Sequence, residues 1–142
     1  MSITSTKKNK YLQIFDQAKF PENPQGIGTF MNQENNPEIA LAFTTHRDII
    51  TEIGVKTYDP DCPEDLKICL GVVLDYAKDL SVMSAHMITP DMIAKSLEIN
   101  TLPESAFMYA VLSIYVLKDA ISNYADLRKE MVADFQREQV EN

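Results

Sequence analysis

From Ala106 to Leu117 the chain reads Ala-Phe-Met-Tyr-Ala-Val-Leu-Ser-Ile-Tyr-Val-Leu, with Ser113 as its polar interruption. A helix that is apolar nearly all round has little to offer water, so this run predicts a central buried helix on which the other elements pack. It is too short to cross a bilayer, and no stretch approaches 18 uninterrupted apolar residues. Amphipathic spacing returns with Ile121, Tyr124, Leu127, Met131 and Phe135, and Gln136 to Asn142 is a charged end expected to fray.

The remaining elements are set off by proline. Thr101-Leu102-Pro103-Glu104 reads as the start of the central helix, and Thr89-Pro90-Asp91 as the start of a short one, with Thr89 as N-cap and Met92, Ile93 and Leu97 following. Met83 to Met87 is ambiguous. Asp59-Pro60-Asp61-Cys62-Pro63-Glu64-Asp65 is a turn entering a helix over about 63–80, whose apolar face is Leu66, Cys69, Val73, Tyr76 and Leu80. Upstream, Ile39-Ala40-Leu41-Ala42-Phe43 alternates large residues with alanines, and Ile49 to Tyr58 alternates β-branched with polar residues. With a turn at Thr44–Asp48, they predict an antiparallel hairpin with one face covered. A short helix around Tyr11, Leu12, Ile14, Phe15 and Ala18 ends before Phe20-Pro21-Glu22-Asn23-Pro24. Gly26 and Gly28 mark a bend or a close backbone approach, Met31 to Pro37 is polar loop, and residues 1–9 read as a disordered tip.

The 142 residues are 45% hydrophobic and 24% charged, which suits a single domain over 1–142 with flexible ends at 1–9 and 137–142. Thirteen basic against 21 acidic residues give a net charge of −8, which argues against nucleic acid and against an anionic membrane as partners. Cys62 and Cys69 lie about 10 Å apart along a helix and should not pair, which suits a reducing compartment. Met1 to Lys10 lacks the apolar core of a signal peptide, so the expected location is cytoplasmic.

Chemistry-bearing patterns are sparse. Gly26-Ile27-Gly28 lacks the context of a dinucleotide fingerprint, and no P-loop, zincin or nucleophile-elbow string occurs, so a non-enzymatic role is expected. Cys62 stands among Asp59, Asp61, Glu64 and Asp65. One reading makes Cys62, Asp59 and Asp61 ligands of a hard or borderline cation. The other makes Cys62 a helix-start residue whose acidic neighbours favour the helix dipole. The acids also oppose thiolate formation, which a helix N-terminus favours. His46 falls in a turn, and His86 lies among Met83 and Met87, a soft donor set suited to copper(I) but equally to core filling.

Three strings resemble the NifU/IscU-type iron–sulfur cluster scaffold family, in the family's order. Phe20 to Gly28 is similar to its "ENPRNVG" segment, Ile53 to Tyr58 to the strand before its "GCGSA" cysteine turn, and Ile88 to Leu97 with Leu102-Pro103 to its "IT-x-DIA-x-x-L … LPP" run. Lys118 to Tyr124 resembles its "KAALADY" helix end, so the likeness spans about residues 11–126. The resemblance implies an α+β fold, SufE/NifU-like: a small antiparallel sheet of about three strands packed against several helices.

The ligands that the family would supply are missing. The resemblance places its first cysteine segment, "PACGD", in Phe30–Pro37, which has none; its second cysteine at Pro60; and its "HCS" motif at Met108-Tyr109-Ala110. Pro60, Met108 and Tyr109 therefore stand at former ligand positions, with Tyr109 placed to fill the former pocket. The chaperone-recognition string "LPPVK" survives only as Leu102-Pro103. Cluster ligands are mainly cysteine thiolates, usually four, and one monomer offers one plausible thiolate, Cys62. The resemblance thus implies a degenerate scaffold in cluster assembly that acts by binding protein, such as a cysteine desulfurase or another assembly protein. The alternatives are an iron or cluster carrier using Cys62 across a homodimer, and a small-molecule-binding domain reusing the pocket.

Overall fold

The computed structural model describes residues 3–141. In chain order the elements are α1 (Ser5–Gln17), β1 (Gly26–Met31), β2 (Pro37–His46), β3 (Ile49–Thr57), α2 (Glu64–Ala77), α3 (Val82–His86), α4 (Pro90–Ser96) and α5 (Glu104–Glu141). The strands form one antiparallel sheet in the order β1-β2-β3, the α+β arrangement expected.

The hairpin is present, and its register puts Gly26 and Gly28 of β1, Leu41 and Phe43 of β2, and Ile53 and Val55 of β3 on one face. This face receives the helices. A Cβ on Gly28 would lie 2.1 Å from the Val116 carbonyl oxygen and 2.5 Å from the Ala120 nitrogen, so α5 crosses β1 at backbone contact. The outer edge of β1 is closed by the same helix. The Thr29 N–H donates to Asp119 Oδ2 at 3.0 Å and the Ile27 N–H to Asn123 Oδ1 at 2.9 Å, two acceptors one helical turn apart.

The opposite face is also covered. It carries Ala40, Ala42 and Gly54, and a Cβ on Gly54 would meet the Lys19 carbonyl oxygen at 2.3 Å. The Lys19–Phe20 segment therefore lies on the alanines, with Lys56 Nζ 4.3 Å from the Phe20 ring centroid. Small residues on this face let an irregular segment, rather than a helix, exclude water.

Three expectations need correction. The irregular tip gives way to α1 at Ser5, where the Thr4 hydroxyl accepts from the Lys7 N–H. Met1 and Ser2 lie outside the described residues. Helix α1 docks on α2 through buried Tyr11, whose carbonyl a Cβ on Gly71 would meet at 2.2 Å. Second, the end expected to fray from Gln136 is drawn as helix: the apolar run and the amphipathic stretch after it lie on one 38-residue helix, α5, which continues to Glu141; Asn142 lies outside the described residues. Third, α5 is not buried all round. Ala110, Ser113, Ile114, Val116, Leu117, Ala120, Ile121 and Tyr124 face the core, but Phe107, Met108, Val111 and Tyr115 are exposed, because sheet and α2 cover only one side. Ser113 is satisfied in the core by donating to the Tyr109 carbonyl at 2.8 Å. By length and composition α5 could cross a membrane; its inner side is packed instead against β1 and α2.

Candidate functional site

Three parts of the chain converge at the end of the sheet nearest the start of α5. Glu38 and Ile39 open β2, Thr57 closes β3, and Asp59, Cys62 and Pro63 form the turn into α2. Leu66 of α2 and Tyr109 and Leu112 of α5 complete the wall of a cavity of about 190 Å³. Residues distant in sequence, Glu38, Cys62, Leu66 and Tyr109, thus meet because α5 lies across the strand ends.

The turn is built by Asp59. Its Oδ1 accepts from the Asp61 N–H at 2.9 Å, and its carbonyl accepts from the Cys62 N–H at 3.2 Å. Cys62 is not the residue that caps the helix: Pro63 occupies that place, with no side-chain cap. Cys62 is half-buried and packs against the core. Burial raises its thiol pKa above the ordinary value; Lys67 and a hydrogen bond with Thr57 pull it back, and Asp59 adds to the rise. The net direction favours the neutral thiol, the form that neither ligates iron nor attacks an electrophile well.

The structure brings Cys62, Asp59 and Tyr109 to one cavity. Asp61 and Pro60 are exposed in the same turn but do not line it, and Met108 points its side chain to solvent, 63% exposed. Among the described residues, no group of three or more His, Cys, Asp and Glu side chains is arranged to hold a metal ion. A cluster would need several thiolates, and the donor set here is one neutral-leaning thiol, two carboxylates and a phenol, so these residues do not fit one. Tyr109 is half-buried against the core on the cavity wall, so its ring occupies space that a smaller residue would leave open.

Sequence reasoning passed over Glu38, Thr57 and Leu112. The signal for Glu38 was its place at the mouth of the Ile39 strand, directly after the segment where a ligand was sought. Cys69 is buried with Leu66 and Val73, as its spacing required, and desolvation, with help from Asp65, pushes its thiol up to about 12. Both cysteines are free. His46 and His86 are exposed, as are Met83 and Met87, which therefore fill no core.

No family model matches this sequence, and no curated protein does. Solved structures do match. One is assigned as an iron–sulfur cluster assembly scaffold protein for the SUF system, from thermophilic Fervidobacterium islandicum AW-1, with TM-score 0.62 and 13% identity over 84% of this chain and 96% of that one. Another is the N-terminal part of a nitrogen-fixing NifU-like protein from Brucella abortus, with TM-score 0.57 and 9% identity over 87% of this chain and 95% of that one. Identities this low speak to backbone architecture and leave the chemistry to the residues present. The chain has the fold of SufU/NifU-like iron–sulfur cluster assembly scaffold proteins.

Proposed function

We propose that this chain is a degenerate relative of the cluster scaffolds, a non-catalytic protein that works in cluster assembly by binding another protein and does not itself hold a cluster. The observation that carries this reading is the donor set of the cavity at the strand ends: one half-buried thiol and a tyrosine at the resemblance's cysteine position. The resemblance supplies the pathway, and the fold of the solved scaffolds supports it.

A protein-binding role has a surface to match. Phe107, Met108, Val111 and Tyr115 lie within two turns of α5 and are 46%, 63%, 41% and 49% exposed. They adjoin Tyr109 on the same helix, and Phe30 extends the patch by an edge-to-face contact with Tyr115 at 6.2 Å. Contiguous exposed apolar residues of this kind mark protein contacts. A cysteine desulfurase is the partner proposed, and the cytoplasm the place. The small-molecule alternative is less well supported, because about 190 Å³ falls below the roughly 300 Å³ at which ligand pockets usually begin.

Calorimetric titration against a cysteine desulfurase from the same genome tests the reading. Saturable binding is expected, with Met108→Glu weakening it by about tenfold or more and Cys62→Ser leaving it unchanged. Absence of binding by the unaltered chain, or loss of binding on Cys62→Ser alone, would overturn it.

A further inference from the structure

Helix α3 is five residues long, far below the length at which a helix keeps its shape alone in water, so its surroundings must hold it. Val82 and Ala85 are buried, the Val82 N–H donates to the Asp48 carbonyl at 2.9 Å, and Ser81 forms an antiparallel bridge with Ile49 of β3. The Ser81 hydroxyl accepts from the Ser84 N–H at 3.1 Å, and the Tyr76 hydroxyl donates to the Ser84 carbonyl at 3.4 Å. The side turned away from the core carries Met83, His86 and Met87, all exposed. Met83 and Met87 are 83% and 66% exposed, and Met83 is the most exposed large apolar side chain among the described residues. With core filling removed as their use, the soft donor set they form with His86 is left to explain.

We infer that Met83, His86 and Met87 form a surface site for a soft monovalent cation, copper(I). The helix brings the donors together. Positions three and four apart have Cβ atoms about 5–6 Å from each other, and long helical side chains lean back toward the N-terminus, which carries His86 and Met87 toward Met83. The three rotatable bonds of methionine let the sulfurs close the remaining distance. A pinned helix also fixes the three positions before any ion arrives. The donor chemistry then selects the ion. Two thioethers and one imidazole suit copper(I), whereas calcium and magnesium ask for oxygen ligands, and zinc for thiolates, imidazoles and carboxylates. The run from Ser81 to Pro90 contains no Asp, Glu, Lys or Arg, so it offers no carboxylate to a hard cation and no like charge to repel a soft one. Asp48, whose carbonyl anchors Val82, has its carboxylate engaged by Tyr124 and Arg128.

The inference is independent of the proposed function. None of the three donors lines the Cys62 cavity, so a copper(I) site here neither needs nor restores a cluster there.

Anaerobic titration of the full chain with copper(I), against a chromogenic copper(I) chelator, tests it in a Cys62→Ser background, where the half-buried thiol no longer competes for the ion. One equivalent per chain is expected. Loss of one ligand should cost at least what loss of a supporting outer partner does, so Met83→Leu, Met87→Leu and His86→Ala should each weaken binding by about tenfold or more. All three changes are at exposed sites, and the leucines keep the side-chain volume, so the fold should hold. With methyl-labelled methionine, the Met83 and Met87 signals should move on adding copper(I) while those of Met31, Met92, Met108 and Met131 stay; zinc should leave all of them in place. Absence of copper(I) binding overturns the inference. Binding indifferent to Met83→Leu and Met87→Leu together, or signal shifts centred on other methionines, overturns it equally.

Discussion

Replacing Gly28 by alanine should cost far more than one methyl group suggests. The new Cβ would lie 2.1 Å from the Val116 carbonyl oxygen and 2.5 Å from the Ala120 nitrogen, both main-chain atoms of α5 that no rotamer change can move. Overpacking of this kind typically costs about 1–3 kcal/mol. If α5 retreats instead, the Thr29 bond to the Asp119 carboxylate and the Ile27 bond to Asn123 lengthen together, at about 1–3 kcal/mol for the charged acceptor and about 1 kcal/mol for the amide. The reduced freedom of the unfolded chain returns only about 0.4–1 kcal/mol. A net loss of about 3 kcal/mol is expected, which in urea, with a slope of about 2 kcal/mol per molar, lowers the midpoint by about 1.5 M. Gly26→Ala should cost less, because one of its two nearest neighbours at 2.7 Å is the tip of the Phe43 ring, which can tilt. A Gly28→Ala midpoint within about 0.3 M of the parent, or a larger loss for Gly26→Ala, would refute the backbone contact between α5 and β1.

The hairpin and the thiols give two further expectations. Arg47 and Asp48 form the β2–β3 turn with φ of 53° and 64°, so Arg47→Gly should relieve left-handed strain and raise stability by about 1 kcal/mol in a thermal melt; a loss would contradict the strain. Asp48 also accepts from Tyr124 and from Arg128, so Asp48→Ala should destabilise. Cys69 has its pKa raised from 9.0 to about 12, so the folded state prefers the neutral thiol; stability is fully present below about pH 9 and falls as pH rises toward 12. Urea titrations should show that fall diminished in Cys69→Ala, at a lower baseline. In the native protein a thiol reagent should modify Cys62 first and slowly at neutral pH, faster as pH rises, and Cys69 only on unfolding; rapid modification of Cys62 at neutral pH would contradict its raised pKa.

Much of the fold is written in local chemistry. Alternation at Ile39–Phe43 and Ile53–Thr57 marked the hairpin, and Thr89-Pro90 marked the start of α4 with its Thr89 cap, which accepts from the Met92 N–H. Gly26 and Gly28 announced a close approach without naming what approached, because the other party, Val116–Ala120, is some ninety residues away. For the same reason β1 could be read as a bend: its edge is satisfied by Asp119 and Asn123 rather than by a second strand. The exposed side of α5 was illegible because an apolar run does not say whether its outer residues meet the same chain or another one. At the site, the resemblance set former ligand positions at Pro60, Met108 and Tyr109, of which Tyr109 lines the cavity beside Cys62 and the other two do not; Glu38 and Thr57 carried no motif and enter only through sheet register.

The proposed loss of the cluster at the Cys62 cavity is open to direct assay. Iron and acid-labile sulfide should be assayed, with an absorption spectrum, after anaerobic purification and again after reconstitution, alongside Cys62→Ser. Colourless protein, substoichiometric in iron in both forms, is expected. Stoichiometric iron with a thiolate-to-iron absorption band that disappears in Cys62→Ser would contradict it and restore this chain as a carrier.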